Sequence, residues 1–327
     1  FTPVDRQGRY LANAMVSFDT RATAVTGHWS EKIGRKKLYE ITGHTAHPMF
    51  TLFKLLWLRE HENAVFAAAD QFLCFEDLLQ FNLGLEPAMG WPLAGRTMLF
   101  DVTHHCWSEE ILDYCGITAA SLARPLRSGS IAGRIPAEIA RMLSLPNDVI
   151  VVTGGHDQPC GALGAGVVSE GCAMYATGTV ECICTAFSSP VLSSGLFNSN
   201  LCTYDYTLQN AYTTVAFSLT GGNILKWFRD EFGSAEVAEA ERLGINPYER
   251  ILGGMSRTPA QVMVLPHFTP TGTPYFDTTA EGAIIGLRLS TKKGEMLRAL
   301  LEGVAFEMRL NIEILEQSGI RIDELRA

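Results

Sequence analysis

Asp157 and Gln158, an acid followed by an amide, close the run Asp148-Val149-Ile150-Val151-Val152-Thr153-Gly154-Gly155-His156. The β-branched residues before them read as one short buried strand, and the small apolar stretch 159–166 reads as a helix packed tightly against it. In open α/β sheets ligands collect at the carboxyl ends of strands, which puts Asp157 where chemistry is usually done. Gly-Gly-His-Asp is also ordinary turn composition, so the weight rests on a second segment some twenty residues on. Thr177-Gly178-Thr179 lies between two short strand-like runs and reads as a tight hairpin. Its backbone N–H groups and two hydroxyls are donors for phosphate oxygens. An acid that orients a hydroxyl, paired with a donor loop that holds a phosphoryl group, points to phosphoryl transfer.

Hydrophobic periodicity gives the elements that must position these residues. Residues 1–145 are mostly helical in pattern. Phe50, Phe53, Leu56 and Trp57 share one stripe, and residues 75–83 form a second that ends at Gly84. Ser108 is an N-cap for a third helix, and residues 135–143 form a fourth with Pro136 in its first turn. After Ser169-Glu170-Gly171 the character changes to β: residues 172–186 and 200–219 read as strands, with Gln209-Asn210 as a turn. Thr220-Gly221-Gly222-Asn223 opens a helix that carries Trp227 and Phe228 and stops at Gly233. Next come a short helix over 235–243, a helix start at Asn246-Pro247, strands over 262–265 and 283–287, and a Gly/Pro loop over 267–277. Residues 293–317 form a long amphipathic helix, with Met296, Leu300, Ala305, Met308, Ile312 and Leu315 near one face. The boundary near residue 170 divides the chain into domains 1–169 and 170–327.

With 327 residues, 47% hydrophobic and 19% charged, the chain is globular and long enough for two domains. Its net charge is −9 and no Lys/Arg block occurs, so neither nucleic acid nor an anionic membrane is an expected partner. Apolar runs such as 149–152 are far too short to span a bilayer. The eight cysteines are scattered with no Cys-x-x-Cys pair, which fits reduced thiols in a cytoplasmic protein. Cys182 and Cys184 would share one strand face, which suits packing better than zinc. His104-His105 and His44/His47 read as structural, so no metal ligands are assigned. Phe1-Thr2-Pro3-Val4 opens without a methionine, Asp5-Arg6-Gln7-Gly8 resembles a hairpin turn with its first strand upstream, and residues 320–327 begin a new apolar stretch. The expectation is a fragment.

Five blocks, in order, resemble the FGGY family of carbohydrate kinases, which includes glycerol kinase and xylulokinase. Residues 14–21 (Ala-Met-Val-Ser-Phe-Asp-Thr-Arg) look like the family's early Trp-x-Asp-x-Arg block, with Ser17 in place of the tryptophan. Gly95-Arg96-Thr97-Met98-Leu99-Phe100-Asp101 is similar to the segment after the sugar-contacting loop. Gly154-Gly155-His156-Asp157-Gln158 looks like the block holding the catalytic aspartate, and Tyr175-Ala176-Thr177-Gly178-Thr179 is similar to the second phosphate motif. Gly282-Ala283-Ile284-Ile285-Gly286-Leu287, together with residues 298–306, matches the C-terminal signature and is the most specific of the five. The resemblance implies an α/β, actin-like and ribonuclease-H-like two-domain ATPase fold, truncated at both ends. The family's Asp-x-Gly-Thr-type loop that helps hold Mg²⁺ would precede Phe1, and its adenosine loop would come after Ala327.

The resemblance also implies roles. Asp157 would be the base that accepts the proton of a sugar or polyol hydroxyl as it attacks the γ-phosphate of ATP. An aspartate is a poor equilibrium base at pH 7, but in a loose transition state the proton leaves late and positioning matters more. Gln158 would bond a substrate hydroxyl. Trp91 would lie against the substrate carbon chain, with core packing as its rival reading. Thr177, Gly178 and Thr179 would meet the phosphates, the glycine allowing close backbone approach. Gly222 would sit at a helix start near the phosphates or serve only as a helix-entry glycine. Lys226 would reach the nucleotide or remain a solvated helix lysine. Asp19 and Arg21 would pair with each other or line the sugar cleft, and Arg298 with Glu302 reads as a structural i, i+4 pair. ATP, Mg²⁺ and a small sugar or polyol are the implied cofactors and substrate, with a homodimer as the further partner expectation. The fragment by itself is expected to be inactive.

Two other readings stand beside the kinase. One is a non-catalytic sugar-binding or regulatory protein on the same fold. The other, a hydrolase using His156 and Asp157, lacks an accompanying nucleophile or metal set. The two side chains would also diverge if the strand continues through them.

Overall fold

The computed structural model describes residues 1–17 and 19–327. Phe18, part of the early block, lies outside the described residues. The chain forms two compact units. The first comprises Phe1–Ser169 with Ala186–Phe197 and Cys202–Thr214, and the second Glu170–Thr185, Asn198–Leu201 and Val215–Ala327.

The first unit is built around helix Thr51–His61, in which Leu52, Phe53, Leu55 and Leu56 are each 0% exposed. Apolar residues on successive sides make this a core helix, wider in its buried surface than one stripe. Lys54 is buried with them because its ammonium donates to the carbonyls of Val16 (2.6 Å) and Met49 (2.8 Å). Helices Phe75–Asn82, Glu109–Cys115 and Ala137–Met142 occupy the expected stretches. The Ser108 hydroxyl accepts from the Ile111 amide, as an N-cap should.

The region before Asp157 departs from expectation. Ile150–Val152 is a strand, but its partner is Ile131–Arg134, antiparallel, in a two-stranded ribbon. Ile150 and Val152 are 46% and 50% exposed, so the strand is not buried. A β-branched run reports strand propensity, and its burial depends on what lies over it. The strand also stops four residues short of His156, and a new helix, Asp157–Gly164, starts at the acid itself.

Strands Glu181–Phe187, Gly171–Thr177 and Ile322–Arg326 neighbour one another in that order, with residues 171–177, 181–185 and 322–326 in the second unit. Gly171–Thr177 and Glu181–Phe187 form the expected antiparallel hairpin, with Thr177 opposite Glu181. Helix Lys293–Gln317 packs its inner face on helix Gly222–Phe232 and on strand Met263–Leu265. Leu297, Leu300 and Val304 meet Ile224, Phe228, Val262 and Val264 in one core cluster. A Cβ at Gly303 would stand 2.7 Å from the Val264 carbonyl oxygen, so that position admits only glycine without movement. The buried face runs through Leu297, Leu300, Val304, Met308 and Leu315. Ala305, expected on it, is exposed. The small Ala305 carried little directional signal, whereas the neighbouring Val304 makes the contact.

Candidate active site

Asp157 is the first residue of helix Asp157–Gly164, and its side chain is 81% exposed. Its Oδ1 accepts from the Gln158 amide at 2.7 Å and lies 3.2 Å from His156 Nε2. The side chains of His156 and Asp157 therefore converge, contrary to the divergence expected of a continuing strand, because the backbone turns into a helix between them. His156 Nδ1 lies 2.9 Å from the Tyr204 hydroxyl. Burial first, and then the Arg96 charge, push the His156 pKa down to about 4, against an opposing pull from Asp157. A neutral imidazole carries one proton. With Nε2–H donating to the carboxylate, Nδ1 accepts from the Tyr204 O–H, and a chain Tyr204→His156→Asp157 orients the acid. Tyr204 is 0% exposed. Its part in the site has no local sequence signal, since it lies 48 residues beyond His156.

A second unforeseen residue is Glu76. Its Oε1 accepts from the Gly154 amide at 2.7 Å and its Oε2 from the Gly90 amide at 2.8 Å. Gly90 precedes Trp91, and Gly154 lies three residues before Asp157, so one carboxylate ties together the two segments that bear these candidates. A Cβ at Gly90 would collide with the Gly154 carbonyl, which explains the glycine there. The half-buried Trp91 ring stacks on His105 with centroids 4.0 Å apart and planes at 9°, and the Arg127 guanidinium lies 5.0 Å from its centroid. Gln158 is half-buried beside Asp157.

Thr177, Gly178 and Thr179 sit at the exposed tip of the hairpin in the second unit. The Gly222 amide donates to the Gly178 carbonyl at 2.6 Å and the Asn223 amide to the Thr179 carbonyl at 3.3 Å. A Cβ on Gly222 would come within 2.5 Å of that Gly178 oxygen. Gly222 thus lets a helix N-terminus dock onto the hairpin tip, and its own N–H is engaged there. Glu181 closes the base of the turn. It is buried and hydrogen-bonded to Tyr175, its pKa is raised by burial, and its Oε1 would lie 2.8 Å from a Cβ at Gly221.

The remaining candidates pair locally. Arg21 grips Asp19 through Nη2–Oδ2 at 2.6 Å and Nε–Oδ1 at 3.0 Å, and it lies over the Trp57 ring at 4.6 Å. The Lys226 ammonium, 64% exposed, bonds Asp230 Oδ2 at 2.6 Å. Arg298 and Glu302 form the expected i, i+4 pair at 2.6 Å. Glu302 Oε2 also accepts from the Ala260 amide.

Residues 1–164 match the N-terminal domain of the FGGY family of carbohydrate kinases, and residues 173–327 match its C-terminal domain. The chain belongs to this family. It is 27% identical over 319 residues to the xylulose kinase of Bacillus subtilis, covering 97% of this chain and 61% of that protein. To the gluconokinase of Bacillus subtilis it is 26% identical, covering 93% of this chain and 59% of that protein. The crystal structure of a xyloylose kinase from Brucella ovis superimposes with a TM-score of 0.87 at 26% identity, over 99% of this chain and 64% of that one. The chain therefore spans about three fifths of the length of these FGGY relatives. Its fold is the actin-like, ribonuclease-H-like α/β fold of FGGY kinases, with two domains.

Proposed function

We propose that the protein transfers the γ-phosphoryl group of ATP to a hydroxyl of a small sugar or polyol, with Asp157 as the base. What most supports this reading is an exposed carboxylate, oriented by a neutral imidazole, in a chain that matches both domains of a carbohydrate-kinase family. The names xylulose kinase and gluconokinase borne by relatives put a ketopentose and a sugar acid at the head of the substrate series.

In this reading the substrate hydroxyl donates to Asp157 and passes its proton there as the bond to phosphorus forms. Because the transition state is loose, the carboxylate chiefly holds the attacking oxygen in line. Gln158 and Trp91 bind the sugar, while the Thr177-Gly178-Thr179 tip supplies donors to the phosphates. Asp19 and Arg21 shape the sugar side through their mutual pair, and Lys226 adds positive potential beside the nucleotide. Kinases of this family use ATP, typically with Mg²⁺. Among the described residues no cluster of three or more His, Cys, Asp or Glu side chains could hold a metal ion. Among them, too, no helix is long and apolar enough to cross a membrane. A cytoplasmic location belongs to the proposal because ATP and sugar substrates meet there; a homodimer is a further part of it.

The test is a coupled ADP-release assay of the protein expressed from its own gene, with xylulose, gluconate, erythritol and glycerol. Turnover on one of them should fall about 10²–10⁴-fold in Asp157→Asn, with calorimetric sugar binding preserved. Undiminished turnover in that variant removes Asp157 as the base. Sugar binding without turnover in the wild type favours the regulatory reading.

A further inference from the structure

Trp91 Nε1, Ser128 Oγ and Asp205 Oδ2 are buried and have no hydrogen-bond partner among the described residues. All three residues line one cavity, together with Pro92, Arg127 and the turn 206–211. Ser128 and Asp205 are only 7% and 5% exposed. Buried polar groups are nearly always hydrogen-bonded, so three residues that each carry an unpartnered atom and line one cavity mark a place for a ligand atom. The space open to the centre of a water-sized atom is ≈ 10 Å³, about one oxygen.

The donor set selects the chemistry. The indole N–H can only donate, so the occupant must accept, which excludes an ammonium group. Burial pushes the Asp205 pKa up to about 7, so this group accepts as a carboxylate and donates as an acid; a hydroxyl suits both forms, whereas a carboxylate or phosphate oxygen suits only the protonated one. Ser128 can do either. A hydroxyl oxygen, accepting from Trp91 and donating to Asp205, meets all three. Asp205 is held for this role through its other oxygen, since Oδ1 lies 2.9 Å from Nε2 of the same His105 that stacks on Trp91.

The cavity shares a wall with the loop that carries Asp157. Tyr204, next to Asp205, bonds His156. Thr207, which lines the cavity, lies 3.5 Å from Cys160 Sγ and would be 2.7 Å from a Cβ at Gly155. We propose that this cavity is a subsite for one hydroxyl of the polyhydroxylated substrate, read by Ser128 and Asp205 as specificity-determining residues. The inference rests on the sugar-kinase reading above.

Its test is calorimetric binding, without ATP, of xylulose, gluconate, erythritol and glycerol, then of the mono-deoxy analogues of the tightest binder. The wild type should bind one deoxy analogue about 10-fold or more weakly than its parent. Ser128→Ala and Trp91→Phe, each melting within a few degrees of wild type, should bind the parent that weakly and lose the discrimination. Wild-type discrimination retained by both variants means that only water fills the cavity, and overturns the subsite alone. No binding of any of these compounds by the wild type overturns the sugar-kinase reading and the subsite together.

Discussion

Glu76 and Gly154 are joined by a hydrogen bond of 2.7 Å from the glycine amide to Oε1, while Oε2 of the same carboxylate holds Gly90 at 2.8 Å. One side chain on helix Phe75–Asn82 thereby sets the spacing between the Trp91 segment and the Asp157 loop. Glu76→Ala leaves the buried Gly90 amide without its acceptor and hands the exposed Gly154 amide to water, a loss on the order of 1–3 kcal/mol. We expect KM for sugar to rise and kcat to fall in Glu76→Ala, with Glu76→Gln recovering part of both because its amide oxygen can still accept one bond. Steady-state kinetics of the two variants decide this; equal damage in both would point to a need for charge instead.

The orienting chain makes a narrower prediction. Tyr204→Phe removes the O–H that donates to His156 Nδ1 while keeping the buried ring. The imidazole is then free to exchange tautomers, and the Nε2–H bond to Asp157 weakens. A several-fold drop in kcat, worth about 1 kcal/mol, should appear with sugar affinity unchanged. A change confined to affinity would place Tyr204 outside the reaction.

Gly222→Ala tests the hairpin–helix junction. The added methyl would meet the Gly178 carbonyl at 2.5 Å, so the helix start must move away from the hairpin tip. Nucleotide affinity, read by ADP titration, should weaken at least tenfold, with destabilisation of about 1–3 kcal/mol. Sugar binding should persist. Unaltered nucleotide affinity would show that the docked helix plays no part in the phosphate site.

Asp77 gives a pH signature. It is buried, its Oδ2 accepts from the Cys74 amide, and burial pushes its pKa from 3.8 up to about 7. The folded state therefore holds the proton more tightly than the unfolded chain. The stabilisation is complete below about pH 4 and is lost as pH rises through 7. His44 and His156, pushed down to about 3 and about 4, act with the opposite sign in an overlapping window. The comparison must therefore be between the wild type and Asp77→Asn, whose amide can keep the cap. The melting temperature of the wild type should fall relative to that variant between pH 4 and 7.5. Parallel curves would mean that Asp77 does not titrate there.

Local chemistry made much of this protein legible in its sequence. Helix Lys293–Gln317 and the hairpin around Gly178 arise from periodicity and turn composition, because those signals act between residues close in the chain. The family's ordered blocks also marked Asp157 and Thr177 as candidates. Tertiary structure decided what required distant partners. It exposed Ile150–Val152, rotated the buried face of the long helix from Ala305 to Val304, and turned His156 toward Asp157. It also brought Glu76, Tyr204, Ser128 and Asp205 to the candidate site from segments that no spacing rule connects. Periodicity says which side of an element is apolar, whereas burial and hydrogen-bond partners arise only when separate segments meet. That is why Asp157 could be singled out in the sequence and the residues that hold it in place could not.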